Sequence, residues 1–305
     1  MSSNLHQYFQ ISNVQSGFIY DPDNRVAFFG TTDPSDVFIT KKLNTSLFYR
    51  ASADTSRWTP PAPPPPTKYT PELLKSNLQK AIRRKHTDIA VSTLAAMLAL
   101  SQVDVFRRLP IIYVEDVCLM SSFPIVVWLM MADKEYTLKR VDVFILLNIV
   151  VSLCETDRVF VDSDTMPEYT GKPESCANAA VRALYYRAKY GGMKGDMAML
   201  RRAIQYYHSN PGEIVETKWA VSVRIRHVVE ILPESIDFHP FPKMLWEISK
   251  QTRLSQDLIK KTIWFAQSGV NVRKPETNES SVVAQESAAW SKIHAALTEY
   301  RQTFQ

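Results

Sequence analysis

Three groups of residues in this chain have the types and spacing that chemistry needs. The first is Ile111-Ile-Tyr-Val-Glu-Asp116, an apolar run closed by two carboxylates. At a strand end such carboxylates hold Mg²⁺ beside a nucleotide, but that use requires a GxxxxGK loop followed by Ser or Thr to cradle the phosphates. The chain has none, and Gly191-Gly192-Met-Lys194-Gly195-Asp196 has neither the spacing nor the terminal hydroxyl. Nucleotide hydrolysis is therefore not expected, and Glu115 and Asp116 are expected to pair with Arg107, Arg108 or a neighbouring helix end.

The second group is Asp237-Phe-His239, with His227 nearby in sequence. These types serve as metal ligands or as an acid/base pair. A metal site needs three or four ligands, and no third follows at a characteristic spacing. A hydrogen-bonded loop histidine is the plainer reading. No Ser/His/Asp or Cys/His arrangement stands out.

The third group is basic. Arg83-Arg84-Lys85-His86 ends one helical stretch, and Arg187 and Lys189 end another just before Gly191-Gly-Met-Lys-Gly195. Positive charge at a helix C-terminus complements the partial negative charge of the last carbonyls, which accounts for much of it structurally. Arg and Lys interleaved with Tyr185, Tyr186 and Tyr190 also suit phosphate contact and base stacking. Gly191, Gly192 and Gly195 either form an anion nest of backbone N–H groups beside Lys189 and Lys194 or supply positive φ at a helix end. The candidate nucleic-acid contacts are Arg83, Arg84, Lys85, Arg187, Lys189 and Lys194. No catalytic residue, metal ligand or cofactor motif is assigned.

The elements that position these groups are helical. Leu74, Leu78 and Ile82 fall on one helix stripe that opens at Pro71 and Glu72. Thr87-Asp88 caps a second helix, and Asp104 starts a third that is kinked or stopped at Pro110. Residues 122–132 and 138–154 read as buried helices. A second block, 179–207, repeats the order of basic helix end, tight turn, Asp cap and apolar helix. Further helices are expected over 215–232, 243–250, 255–268 and 282–303, with the loop Ser235-Ile-Asp-Phe-His-Pro-Phe-Pro242 between them.

The N-terminal 58 residues differ. Gly17-Phe-Ile-Tyr and Arg25-Val-Ala-Phe-Phe29 flank the turn signal Asp21-Pro-Asp-Asn24, a hairpin pattern. Residues 59–71 hold seven of the eighteen prolines, which exclude helix and sheet interior and leave an extended spacer. The fold class is thus mainly α. The body is multi-helix, orthogonal or bundle-like, over 72–305, with 162–175 a candidate sub-boundary. It follows a β-rich segment at 1–58 and a proline-rich linker at 59–71.

With 45% apolar and 22% charged residues the composition is globular, and only eight glycines argue against a glycine-rich nucleotide-binding fold. A net charge of +5 is mild: it suits an acidic partner such as nucleic acid, but on charge alone a merely solvated basic surface is the plainer reading. Cys118, Cys154 and Cys176 are odd in number and far apart, which fits a reducing intracellular compartment, cytoplasm or nucleus. The start lacks a secretory pattern. The apolar stretches Phe123–Ala132 and Val143–Leu153 fall short of the roughly 18 residues a membrane span requires.

Within 78–118, Leu78-Gln-Lys-Ala-Ile82-Arg83, Asp88 with Ala90, Leu94, Met97, and Arg107-Arg108-Leu109 leading to Glu115-Asp116-Val117 form a pattern. It resembles the helical region that follows the ATPase core in clamp-loader-type AAA+ proteins, especially the replication-associated recombination ATPases. The chain departs from that family in lacking the ATPase core and in carrying Pro110, so no catalytic residue carries over. The resemblance implies a helical oligomerisation or DNA-transaction module without the motor. The expectation is a non-enzymatic basic helical scaffold that binds nucleic acid or a nucleic-acid-processing complex. The alternatives are a structural subunit of a larger assembly or a metal-dependent hydrolase using Asp237, His239, Glu115 or Asp116. Protein partners or a homo-oligomer are expected, a membrane is not, and no small-molecule substrate is identified.

Overall fold

The computed structural model describes residues 69–132, 136–157, 166–172, 176, 178–219, 223, 225, 229–237, 242–267 and 280–302, together with the backbone of three short N-terminal stretches. Those stretches, β1 (Val26–Phe29), β2 (Val37–Thr40) and β3 (Thr45–Arg50), pair antiparallel in the order β1–β3–β2. The rest of 1–58, and the proline-rich linker as far as residue 68, lie outside the described residues.

The body is mainly α. Helix α1 (Pro71–Arg83) starts where the Thr70 side chain accepts from the Leu73 N–H at 3.2 Å, with Pro71 preset for the first turn. Leu74, Leu78 and Ile82 are buried along its stripe. It ends in a Schellman turn: His86 N–H donates to the Ala81 carbonyl, Lys85 N–H to that of Ile82, and Lys85 takes φ +60°. Helix α2 (Thr87–Leu100) is buried on all sides from Ile89 to Leu98.

Helix α3 (Gln102–Asp116) is capped by Ser101 rather than opened at Asp104, and it passes through Pro110 without stopping. The expected stop is corrected here. A proline inside a helix costs about 3 kcal/mol. Past it, Ile111, Ile112 and Tyr113 are buried, each stabilising by about 1.5–3 kcal/mol, so packing outweighs the lost hydrogen bond. The Ile111–Asp116 run that looks like a magnesium-binding strand is therefore helix.

Helices α4 (Phe123–Ala132) and α5 (Arg140–Glu155) are sheathed by their neighbours, and the buried Asn148 side chain donates to the Phe144 carbonyl at 3.0 Å. Helix α6 (Ala179–Tyr190) is capped by Asn178 and closed by Gly191 at φ +96°, a conformation only glycine takes easily. Helix α7 (Lys194–Ser209) follows, starting two residues before Asp196. Apolar side chains from α1 to α7 share one core, including residues from both sides of 162–175.

The helix expected over 215–232 is absent at its described positions, 215–219, 223, 225 and 229–232. Backbone groups there bond elsewhere: Val215 N–H donates to the Leu119 carbonyl, and Ser121 N–H to that of Val215. The segment is dense in valine and isoleucine, which lose side-chain freedom in a helix. After a short helix α8 (Pro233–Asp237), helices α9 (Pro242–Thr252), α10 (Gln256–Gln267) and α11 (Ser280–Gln302) share a second, smaller apolar cluster around Ile248, Ile259, Ile293 and Leu297. No helix among the described residues is long and apolar enough to cross a membrane.

Candidate functional site

The two basic junctions are built differently. At the first, α1 lies against α3 so that Arg83 Nε donates to Asp116 Oδ1 at 2.6 Å and its Nη2 reaches Glu115 Oε1 at 3.4 Å. Arg84 meets Glu234 at 3.3 Å, and Lys85 meets Asp157 at 2.5 Å. All three predicted phosphate contacts at this bend already have a carboxylate of the chain itself.

Beneath them runs a polar seam. Gln79 Nε2 donates to Asp116 Oδ2 at 2.7 Å, and Arg108 Nη2 donates to Gln79 Oε1. Lys80 is fully buried beside this seam and donates to Ser76 Oγ at 3.4 Å. Burial first, and the Arg83 charge next, lower its ammonium to about 7. Burial and the adjacent Asp116 raise the Glu115 carboxyl above its ordinary value. Glu115 and Asp116 thus pair at a neighbouring helix end, that of α1, and the pair sits in a polar seam rather than lining the cleft described next.

The second junction opens onto a cleft of about 370 Å³. Its walls come from α1 (Lys75), α3 (Asp104, Arg107, Arg108, Ile111), the end of α6 (Arg187, Tyr190), the turn Gly191-Gly192-Met193, and the first turn of α7 (Asp196). Arg187 is only 4% exposed. It donates to the Gly191 carbonyl at 3.0 Å and to the Arg107 carbonyl at 3.3 Å, latching α3 onto the α6–α7 turn. Burial pulls its guanidinium below the ordinary value, Asp196 acts against that through space, and Arg107 reinforces it.

Arg107 is exposed and lies over the Tyr190 ring at 5.7 Å. Lys75 takes Asp104 at 3.2 Å, removing the carboxylate one helical turn from Arg107 and Arg108. Arg107, Arg108 and Arg187 consequently have no ion pair among the described residues. The Nε groups of Arg108 and Arg187 are buried with no hydrogen-bond partner there.

Of the predicted second-junction residues, Arg187, Gly191 and Gly192 line this cleft, while Lys189, Lys194 and Gly195 do not. Lys189 is exposed over the Tyr185 ring, and Lys194 and Gly195 are exposed at the start of α7. Lys75, Arg107 and Arg108 were not among the candidates. Asp104 at positions three and four before Arg107 and Arg108 is a local partner on paper, and only the packing of α1 shows that Lys75 claims it.

His227 and His239 lie outside the described residues, as does the side chain of Asp237. Among the described residues no three His, Cys, Asp or Glu side chains gather to hold a metal ion. The three cysteines are buried and unbridged, and burial pushes the thiols of Cys118 and Cys154 up to about 12. No family model, curated protein or solved structure matches the chain.

Proposed function

We propose that this chain is a non-enzymatic basic helical scaffold that binds nucleic acid, with the second junction as its contact. The observation that carries the reading is the contrast in pairing. Arg83, Arg84 and Lys85 are ion-paired with the chain's own carboxylates, whereas Arg107, Arg108 and Arg187 make no such close pair among the described residues and gather on one cleft, with Lys189 and Lys194 exposed. Guanidinium forks match phosphate oxygens, and cations held by neutral groups rather than by a close carboxylate favour an external anion. The reading agrees with the resemblance of 78–118, seen in the sequence alone, to the helical region of replication-associated recombination ATPases.

The test is fluorescence anisotropy with single- and double-stranded DNA and RNA oligonucleotides at low salt. Reversing Arg107, Lys189 and Lys194 to Glu is expected to weaken binding about tenfold or more and to flatten its salt dependence. Absent binding, or binding unchanged by the reversal, would sink the proposal.

A second reading, a structural subunit of a larger assembly, rests on Trp246 and Trp264. They are 52% and 53% exposed on α9 and α10, the kind of aromatic surface that anchors protein contacts. In that reading the β-rich segment 1–58, tethered by the proline stretch, adds strands to a neighbour. Deleting residues 1–70 is then expected to abolish incorporation and leave a folded remainder.

A further inference from the structure

We propose that the cleft between α1, α3 and the α6–α7 turn is a binding site for a phosphomonoester dianion, such as a terminal phosphate or free phosphate. The proposal rests on the second junction being an anion site, but not on the anion belonging to nucleic acid.

Charge sets the ligand class. The lining of the cleft carries four cations, Lys75, Arg107, Arg108 and Arg187, against two carboxylates, Asp104 and Asp196, an excess of two positive charges, with Glu72 reaching Lys75 at 3.8 Å and Glu115 acting on Arg108 from outside the lining. A phosphomonoester near neutral pH carries about that charge in opposite sign. A phosphodiester within a running backbone carries one negative charge and must also leave at both ends of the cleft.

Hydrogen bonding points the same way. Arg187 is held rigidly by two backbone carbonyls and still presents a buried Nε without a partner, and Arg108 presents another. A buried donor left unsatisfied is costly, and a tetrahedral oxyanion supplies several acceptors at once. The first turn of α7, a helix of 16 residues, reaches the same cleft through Asp196 and adds its partial positive charge. Asp196 opposes an anion locally and offsets part of that attraction. About 370 Å³ admits a phosphate with a sugar-sized group attached, and Ile111 and Met193 provide its apolar lip.

The full chain is titrated calorimetrically with inorganic phosphate, with chloride as the ionic-strength control, and then with matched oligonucleotides bearing a 5′-phosphate or a 5′-hydroxyl. Phosphate binding that falls about tenfold in Arg107→Gln, with unchanged melting temperature, supports the site. Arg108→Gln gives an independent second reading, and Arg107→Lys is expected to recover only part of the loss because an ammonium cannot reproduce the fork.

A preference for the 5′-phosphate oligonucleotide identifies a strand end as the source of the ligand. Phosphate binding with no oligonucleotide binding keeps the site and removes the nucleic-acid reading. Oligonucleotide binding indifferent to the terminal group, with no phosphate binding, overturns the site and leaves that reading standing. Phosphate binding unaffected by both Gln variants, or no binding of either probe, overturns the site.

Discussion

Arg83 and Asp116 stand 33 positions apart in the chain and meet at 2.6 Å across the contact of α1 with α3, with the Asp116 carboxylate wholly enclosed. The same carboxylate takes the Gln79 amide, so its two oxygens are both engaged. Removing one member of a buried pair strands the other in a low-dielectric surrounding, which costs about 3–5 kcal/mol. Arg83→Met is therefore expected to lower stability by that order in urea unfolding. A loss confined to nucleic-acid affinity, with unfolding unchanged, would return Arg83 to the ligand surface.

Asn77 is fully buried and uses every hydrogen-bonding position of its side chain. Its Nδ2 donates to Thr93 Oγ1 and the Glu230 carbonyl, and its Oδ1 accepts from Leu232 N–H and Ser235 Oγ. The non-helical stretch 230–232 and the start of α8 are thereby tied to α1. Asn77→Ala leaves several buried polar groups unsatisfied and is expected to cost on the order of 3 kcal/mol. Hydrogen exchange should localise the loosening to 229–236; a uniform loss of protection would contradict the tie.

Local signals carried over well where they were local. Thr70-Pro71-Glu72 marks the start of α1, and the apolar runs at 123–132 and 140–155 become buried helices. Trp219, Val223, Arg226 and Val229 have helical spacing on paper, but Val215 and Leu232 bond to distant groups, so tertiary contacts overrode the period. Half of the cleft was legible, because Arg187 and the glycines stand at a visible helix break. Its other half comes from α3, and the Arg187-to-Arg107 bond spans 80 positions with no sequence signal.

Lys85 closes α1 in the left-handed conformation at φ +60°, where a Cβ crowds the backbone. That conformation costs a non-glycine residue about 1–2 kcal/mol. Its ion pair with Asp157 is exposed and returns little in water. Lys85→Gly is expected to stabilise the fold by about 1 kcal/mol, read as a rise in melting temperature. A fall instead would show that the pair outweighs the backbone strain.

Lys80 makes stability depend on pH in a direction that can be worked out. Its folded-state pKa, about 7, lies below the ordinary lysine value of 10.5, chiefly through burial. Between those values the unfolded chain binds more protons at this site than the folded one, so stability rises with pH. The penalty of the buried ammonium is complete below about pH 7 and is relieved above it. The thiols of Cys118 and Cys154 act only above their ordinary value of 9.0, which keeps them out of the window pH 7–9. Across that window the slope is expected to approach about 1.4 kcal/mol per pH unit. Lys80→Met should flatten it and be more stable than the parent at pH 7. A slope that survives in Lys80→Met would assign the titration to another group.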